Sequence, residues 1–177
     1  NKKNYYRIYI FMIFKKKHDF DLYNNLLILS RNIFFYEKIK LPDNFETRIY
    51  LMFIHFSIMM IISKNKGKKF DQKSYDFLFH SIENDLRELG FGDVTVNKKI
   101  KEFNKILYDI LLKIDLGNKD QKTFIINKKL ILKYFKDINE PKKGNYLNLE
   151  SYFMSFFHFC FELPLDNMVR EAIKFKF

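Results

Sequence analysis

Five glycines and three prolines are all that 177 residues offer for sharp turns. A sandwich or barrel needs turn-formers at nearly every reversal, so this scarcity disfavours many-stranded architectures. Long helices with short connections remain. With 47% hydrophobic and 30% charged residues, the chain has the balance of a folded globular domain and not of a disordered one. A chain of this length buries roughly 70% of its unfolded surface, so neither metal nor disulfide is needed as a staple. The single cysteine, Cys160, forbids an intrachain bridge and points to a reducing compartment.

Apolar periodicity predicts an all-α, single-domain bundle of about six helices. Asp19 or Asp21 caps a first helix reaching about residue 39, with Leu22, Leu26, Leu29, Ile33 and Tyr36 on one face. Leu41-Pro42-Asp43 stops it. Asp43 or Asn44 caps a second helix built on the apolar run 49–62, with Glu46 at capping-box distance from Asp43. At 1.5 Å per residue that run covers about 21 Å, short of a hydrocarbon core about 30 Å thick. With His55 and Ser57 in its middle, it reads as the buried centre of a bundle. Residues 64–69 form a basic loop. A third helix over about 71–89 presents Tyr75, Leu78, Phe79, Ile82 and Leu86 as its apolar stripe, and Gly90 stands where a left-handed terminator belongs. A fourth, about 95–115, turns Ile100, Phe103, Leu107, Ile110 and Ile114 inward and Lys98, Lys101 and Lys105 outward, and Gly117 closes it. A fifth covers about 119–136, residues 141–144 form a loop, and an aromatic sixth runs over 149–162 to Pro164, with a last turn or two beyond.

Residues 1–17 stand apart from the helical domain 18–177 as a basic, apolar extension, disordered or membrane-associated. Lys2, Lys3, Arg7, Lys15, Lys16 and Lys17 have no acid among them, and the run 5–14 lacks a cleavage site of the secretory kind. Opening on Asn1, the chain reads as a fragment or a processed end, with Met12 an alternative start.

The net charge of +11, from 32 basic and 21 acidic residues, suggests an anionic partner. Only Arg7, Arg31, Arg48, Arg87 and Arg170 are arginine. Base readout favours the planar guanidinium fork, so no specific DNA binding is expected. A chain rich in Lys, Asn, Ile and Phe is also what a compositionally biased genome produces. A second cluster sets Lys64, Lys66, Lys68, Lys69 and Lys73 against Asp71.

Catalytic chemistry is nearly absent from the sequence. His18, His55, His80 and His158 are scattered, with no zinc-ligand spacing, and no phosphate-cradling or nucleophile-elbow motif occurs. His158 lies beside Cys160, but positions i and i+2 of a helix do not face each other; Cys160 reads as a small core residue. Glu83, Asp85 and Glu88 are candidate paired carboxylates, and with Arg87 among them they read first as surface ion pairs. No catalytic residue, metal or cofactor is assigned.

One junction is denser than the rest. Residues 85–99 (DLRELGFGDVTVNKK) pack two glycines, an exposed Phe91 and charges of both signs into a short space, suggesting backbone angles that only glycine takes. A helix end at Gly90 followed by Asp93 or Thr95 as the next cap explains much of the same string.

These residues carry a resemblance. Leu86-Arg87-Glu88-Leu89-Gly90-Phe91-Gly92-Asp93, followed by Val96 and Lys98-Lys99, is similar to the LRExGxGD signature of the ubiquinol-cytochrome c chaperone family. Arg31-Asn32 with Phe35-Tyr36, then Pro42-Asp43, Arg48 and His55, resembles that family's second block in order and spacing. The likeness covers about residues 20–115. Tyr108-Asp109-Ile110 departs from the family's Tyr-Gly-Arg, and Glu83 stands where Asp is usual.

What the resemblance implies is a non-enzymatic chaperone that holds newly made cytochrome b during assembly of the bc1 complex. Its place would be the cytoplasmic face of a bacterial inner membrane or the matrix face of the mitochondrial one. A small partner chaperone and contact with the ribosome or an anionic membrane surface are further partners it suggests. The client-facing surface is expected at Arg87, Glu88, Gly90, Phe91, Gly92 and Asp93 with Lys98 and Lys99, Arg48 and His55 placing the second helix behind it. An aromatic-rich surface would shelter apolar client helices. The alternatives are a basic module binding RNA, the ribosome or a membrane surface, and an enzyme working around His80, Glu83 and Asp85.

Overall fold

The computed structural model describes residues 22–116, 124, 126–139 and 143–177. The extension 1–17, Asp19, Asp21, Gly117 and Pro141 lie outside them. Among the described residues the regular elements are all helical: α1 (22–30), α2 (Phe45–Asn65), α3 (Gln72–Glu88), α4 (Asp93–Leu116), α5 (Lys128–Tyr134), α6 (Lys143–Glu162) and α7 (Leu165–Glu171), with short π and 3₁₀ turns between or after them. The bundle expected from the apolar periodicity is the fold observed.

Helix α2 is the axle. Buried side chains follow one another almost without a break from Ile49 to Ser63, because α4, α6 and α7 all pack against it. A helix apolar all round needs such enclosure. It is long and apolar enough to cross a bilayer, yet most of it is covered by the protein's own helices, as expected for a central core element. Asn44 supplies the cap, its Oδ1 accepting from the Thr47 amide at 2.9 Å. Glu46 does not close a capping box; its carboxylate pairs with Lys99 of α4 at 3.3 Å.

Several boundaries differ from expectation for local reasons. The first helix does not reach residue 39. It stops at 30, where the Asn32 side chain accepts from the Phe34 amide at 3.0 Å and offers the backbone an alternative to helix. A π turn, Phe34–Lys38, follows. The wider turn shifts the register, so Phe35 is fully buried while Ile33, expected inward, is 63% exposed. The fifth helix is short: Phe124 and Ile126 are both buried ahead of it, and Asn127 caps it at the Lys129 amide. Helix α6 begins at Lys143, before the expected 149, and the Asn145 amide donates to the Ile39 carbonyl at 3.0 Å.

Most of the aromatic side chains among the described residues are buried or half-buried. Phe35, Phe53, Phe56, Phe124, Tyr152, Phe153, Phe156 and Phe157 are fully buried, each burial contributing roughly 1.5–3 kcal/mol. Among the described residues the exposed large hydrophobic side chains are mainly aliphatic, with Phe91, Tyr108 and Phe177 the aromatic exceptions. The expected aromatic-rich surface is therefore corrected: the rings fill the space around α2 and α6, where flat, bulky groups pack without cavities.

Candidate functional site

The dense junction is a corner between α3 and α4. Gly90 takes φ +88°. Its amide donates to the Arg87 carbonyl at 2.9 Å and the Phe91 amide to the Leu86 carbonyl at 3.2 Å, the paired bonds of a Schellman helix end. Gly92 has no left-handed φ, and a methyl group there would meet nothing within 4 Å. Special backbone freedom is thus required at Gly90 and not at Gly92. The Gly92 carbonyl accepts from the Thr95 and Val96 amides, so α4 starts at Asp93, two residues before the expected position. Gly90→Ala is expected to lower stability by roughly 1 kcal/mol, and Gly92→Ala by a fraction of that; urea denaturation midpoints of the two variants measure the difference.

Arg87 spans the corner. Its Nη1 lies 2.7 Å from Glu83 on α3 and its Nη2 3.3 Å from Asp93 in the first turn of α4. Lys99 fastens the same corner to α2: its ammonium meets Glu46 at 3.3 Å and sits 5.2 Å above the Phe91 ring. Arg87, Asp93 and Lys99 are therefore braces. Leu89, Phe91 and Val94 stand out from them, exposed by 57, 38 and 86%, with Glu88 and Lys98 exposed beside them.

Against this corner opens a groove of about 360 Å³ that the sequence did not disclose. Tyr23, Leu27 and Arg31 line it from α1 and its end, Arg48 and Met52 from α2, and Asp85, Glu88 and Leu89 from α3. The two sequence blocks of the resemblance, 31–55 and 86–99, thus meet in space. The Tyr23 hydroxyl donates to Asp85. Burial raises the Asp85 carboxyl above its ordinary range, against the pull of the Tyr23 bond, and burial also lifts the Tyr23 phenol. Arg48 is engaged by Asp43 at 2.6 Å. Among the described residues Arg31 and Glu88, one of each sign, make no ion pair.

His55 is elsewhere. It is wholly buried, so it offers no surface to a partner. Its Nδ1 donates to the Leu51 carbonyl at 2.7 Å, which leaves Nε2 to accept from the Tyr152 hydroxyl at 3.1 Å. Burial pulls its pKa down to about 4, so the ring is neutral at pH 7. The Asn32 side chain also reaches the Tyr152 hydroxyl. Asn32 and His55, both in the second block, are joined through a residue outside it.

The side chains considered for acid, base or nucleophile chemistry are held apart by their contacts. Glu83 and Asp85 are committed to different partners, Arg87 and Tyr23. Cys160 is buried, its thiol pushed up to about 12 by that burial, while His158 is exposed. No metal-holding group of three His, Cys, Asp or Glu occurs among the described residues. An open groove with charges of both signs beside exposed aliphatic side chains is the make-up of a protein-docking surface.

Residues 37–173 match the family described as ubiquinol-cytochrome C chaperone. The chain is also similar to the crystal structure of the Cbp3 homolog from Brucella abortus, with a TM-score of 0.63 and 17% identity, over 95% of this chain and 96% of that one. At that identity the likeness is one of fold. No curated protein matches.

Proposed function

This chain belongs to the ubiquinol-cytochrome C chaperone family, and from that premise we propose that it is a non-enzymatic assembly chaperone for the bc1 complex whose client is newly synthesised cytochrome b. The observation that supports this reading is the convergence of both sequence blocks on one corner. There Leu89, Phe91 and Val94 are exposed beside a groove with Arg31 and Glu88 on its walls. An apolar client segment would lie on the three side chains, and its flanking charges would meet Glu88, Arg31 and Lys98. The site of action on this reading is the inner membrane, on the cytoplasmic face in a bacterium or the matrix face in a mitochondrion, with a small partner chaperone sharing the client.

The test substitutes side chains that brace nothing. Leu89→Ser with Val94→Asp leaves the Arg87 and Lys99 contacts in place, so stability should change by no more than about 0.5 kcal/mol per position. A photocrosslinker at residue 98 should capture cytochrome b in the parent chain and at least tenfold less in the double variant, with bc1 levels falling in step. Normal capture and normal bc1 levels in the folded double variant would remove the corner from the client-binding surface. Apolar client binding should also respond little to salt, whereas RNA or ribosome binding would weaken steeply as ionic strength rises.

A further inference from the structure

The other end of α2 carries a second groove, of about 340 Å³, remote from the corner: Arg48 and Met60 are twelve residues apart, about 18 Å along the helix. Its floor is apolar, made by Met60, Phe70 and Leu111, and its rim is Lys64, Lys68 and Lys69. Phe70 is held edge-on against Phe56 at 5.3 Å, so the floor is preformed. Next to Leu111 on α4, Leu112 is 60% exposed, and one turn earlier Tyr108 is 61% exposed.

The charge around this groove is lopsided. Lys66 and Lys73 add to the three rim lysines, against Asp71 and Asp166. Lys66 is spent on structure, donating to the Phe161 and Leu163 carbonyls at 2.5 and 3.0 Å. Lys68 meets Asp166 at 2.5 Å, but both side chains are well exposed, at 60 and 84%, and such a pair yields readily to a competing anion. Lys69 makes no ion pair among the described residues. A cationic rim over an apolar slot complements a ligand with an anionic head and a hydrocarbon tail. RNA would want arginine forks and open aromatic faces for stacking; here the rim is all lysine and the one floor ring is packed.

We propose that this groove binds an anionic phospholipid of a bilayer surface, its phosphate between Lys68 and Lys69 and part of one acyl chain on Met60, Phe70 and Leu111. Leu112 and Tyr108 would enter the interface beside it, and the α3–α4 corner at the far end of α2 would stay clear of the membrane. The inference rests on this groove alone and stands or falls separately from the client reading.

Vesicle co-sedimentation of the full chain tests it. Binding is expected to vesicles of phosphatidylcholine mixed with an equal amount of phosphatidylglycerol, and not to phosphatidylcholine alone. Lys68→Gln with Lys69→Gln should weaken that binding roughly tenfold, while Lys38→Gln with Lys40→Gln, the same charge change on exposed side chains ahead of the other end of α2, should alter it less than twofold. Met60→Ser with Leu111→Ser, which leaves every lysine in place, should also weaken it several-fold, far-ultraviolet circular dichroism confirming that each variant is folded. Equal losses for the two lysine pairs, or no loss on removing the apolar floor, would mean diffuse surface attraction and overturn the site. So would preference for poly(U) over the anionic vesicles at equal salt, or full competition by glycerol 3-phosphate.

Discussion

His55→Ala is expected to destabilise the protein by about 4 kcal/mol, several times the cost of replacing the left-handed Gly90. The imidazole is fully buried, so alanine leaves a cavity like those of large-to-small core changes, which cost about 2–5 kcal/mol. It also strips the Tyr152 hydroxyl of its acceptor at 3.1 Å, at a cost of about 1–3 kcal/mol for a buried polar group. Phe156 and Phe153 face the ring edge-on at 4.7 and 5.3 Å and lose that contact too. Against a typical stability of about 5–15 kcal/mol, the variant would lose between about a quarter and four-fifths of its margin, a drop that its urea midpoint measures. His55→Phe separates the causes. It refills the volume but leaves the Tyr152 hydroxyl without that acceptor, so it should recover about half of the stability and, on the proposed function, the client capture. If His55→Phe folded normally yet captured no cytochrome b, the imidazole would have a direct role that its burial argues against.

Acid should also weaken the fold steeply, through the same residue. The folded state holds His55 neutral with a pKa of about 4, against 6.5 for the free side chain, so the unfolded chain takes up the proton first. The stabilising difference is complete above pH 6.5 and is lost progressively as pH falls towards 4, where it levels off. Between pH 7 and pH 5 the loss is roughly 2 kcal/mol. Other shifted groups act outside that window or against it. Burial works against ionising Asp109, but hydrogen bonds from Lys113, Lys133 and Tyr134 hold it well below the usual carboxylate range, so its contribution disappears only in stronger acid. Asp85, raised by burial, favours the folded state slightly on acidification. Urea titrations at pH 7, 6 and 5 measure the slope, and His55→Phe should flatten it. A slope unchanged in that variant would assign the acid sensitivity to other groups.

Asp109, one of the positions where the sequence departs from the pattern it resembles, has a structural use. Its carboxylate binds Lys113 on its own helix and Lys133 and Tyr134 of α5 at 2.8, 2.8 and 2.5 Å. In this chain the position ties α4 to the short α5.

Arg87 shows how chain position leaves a side chain's role open. The corner was visible in the sequence because glycine is scarce and Gly90 follows a clean helical stripe. That Arg87 faces Glu83 and Asp93 as a brace, while Leu89 and Val94 face outward, depends on how α3 and α4 cross. Glu46 gave a similar lesson: its spacing from Asp43 fits a capping box, but Lys99, 53 residues away, is a stronger partner for a carboxylate.

By itself the sequence determined the helical class, the bodies of α2, α3 and α4, the stop at Gly90 and the place of the corner. Each is written within a turn or two of chain, in 3.6-residue periodicity, capping side chains and a positive φ that glycine alone takes without strain. Only the tertiary structure decided the π turn that buries Phe35, the short α5, the His55–Tyr152 pair across 97 positions, and the two grooves at opposite ends of α2. Those depend on which faces pack together, and side-chain partners so far apart in the chain leave no local pattern to read.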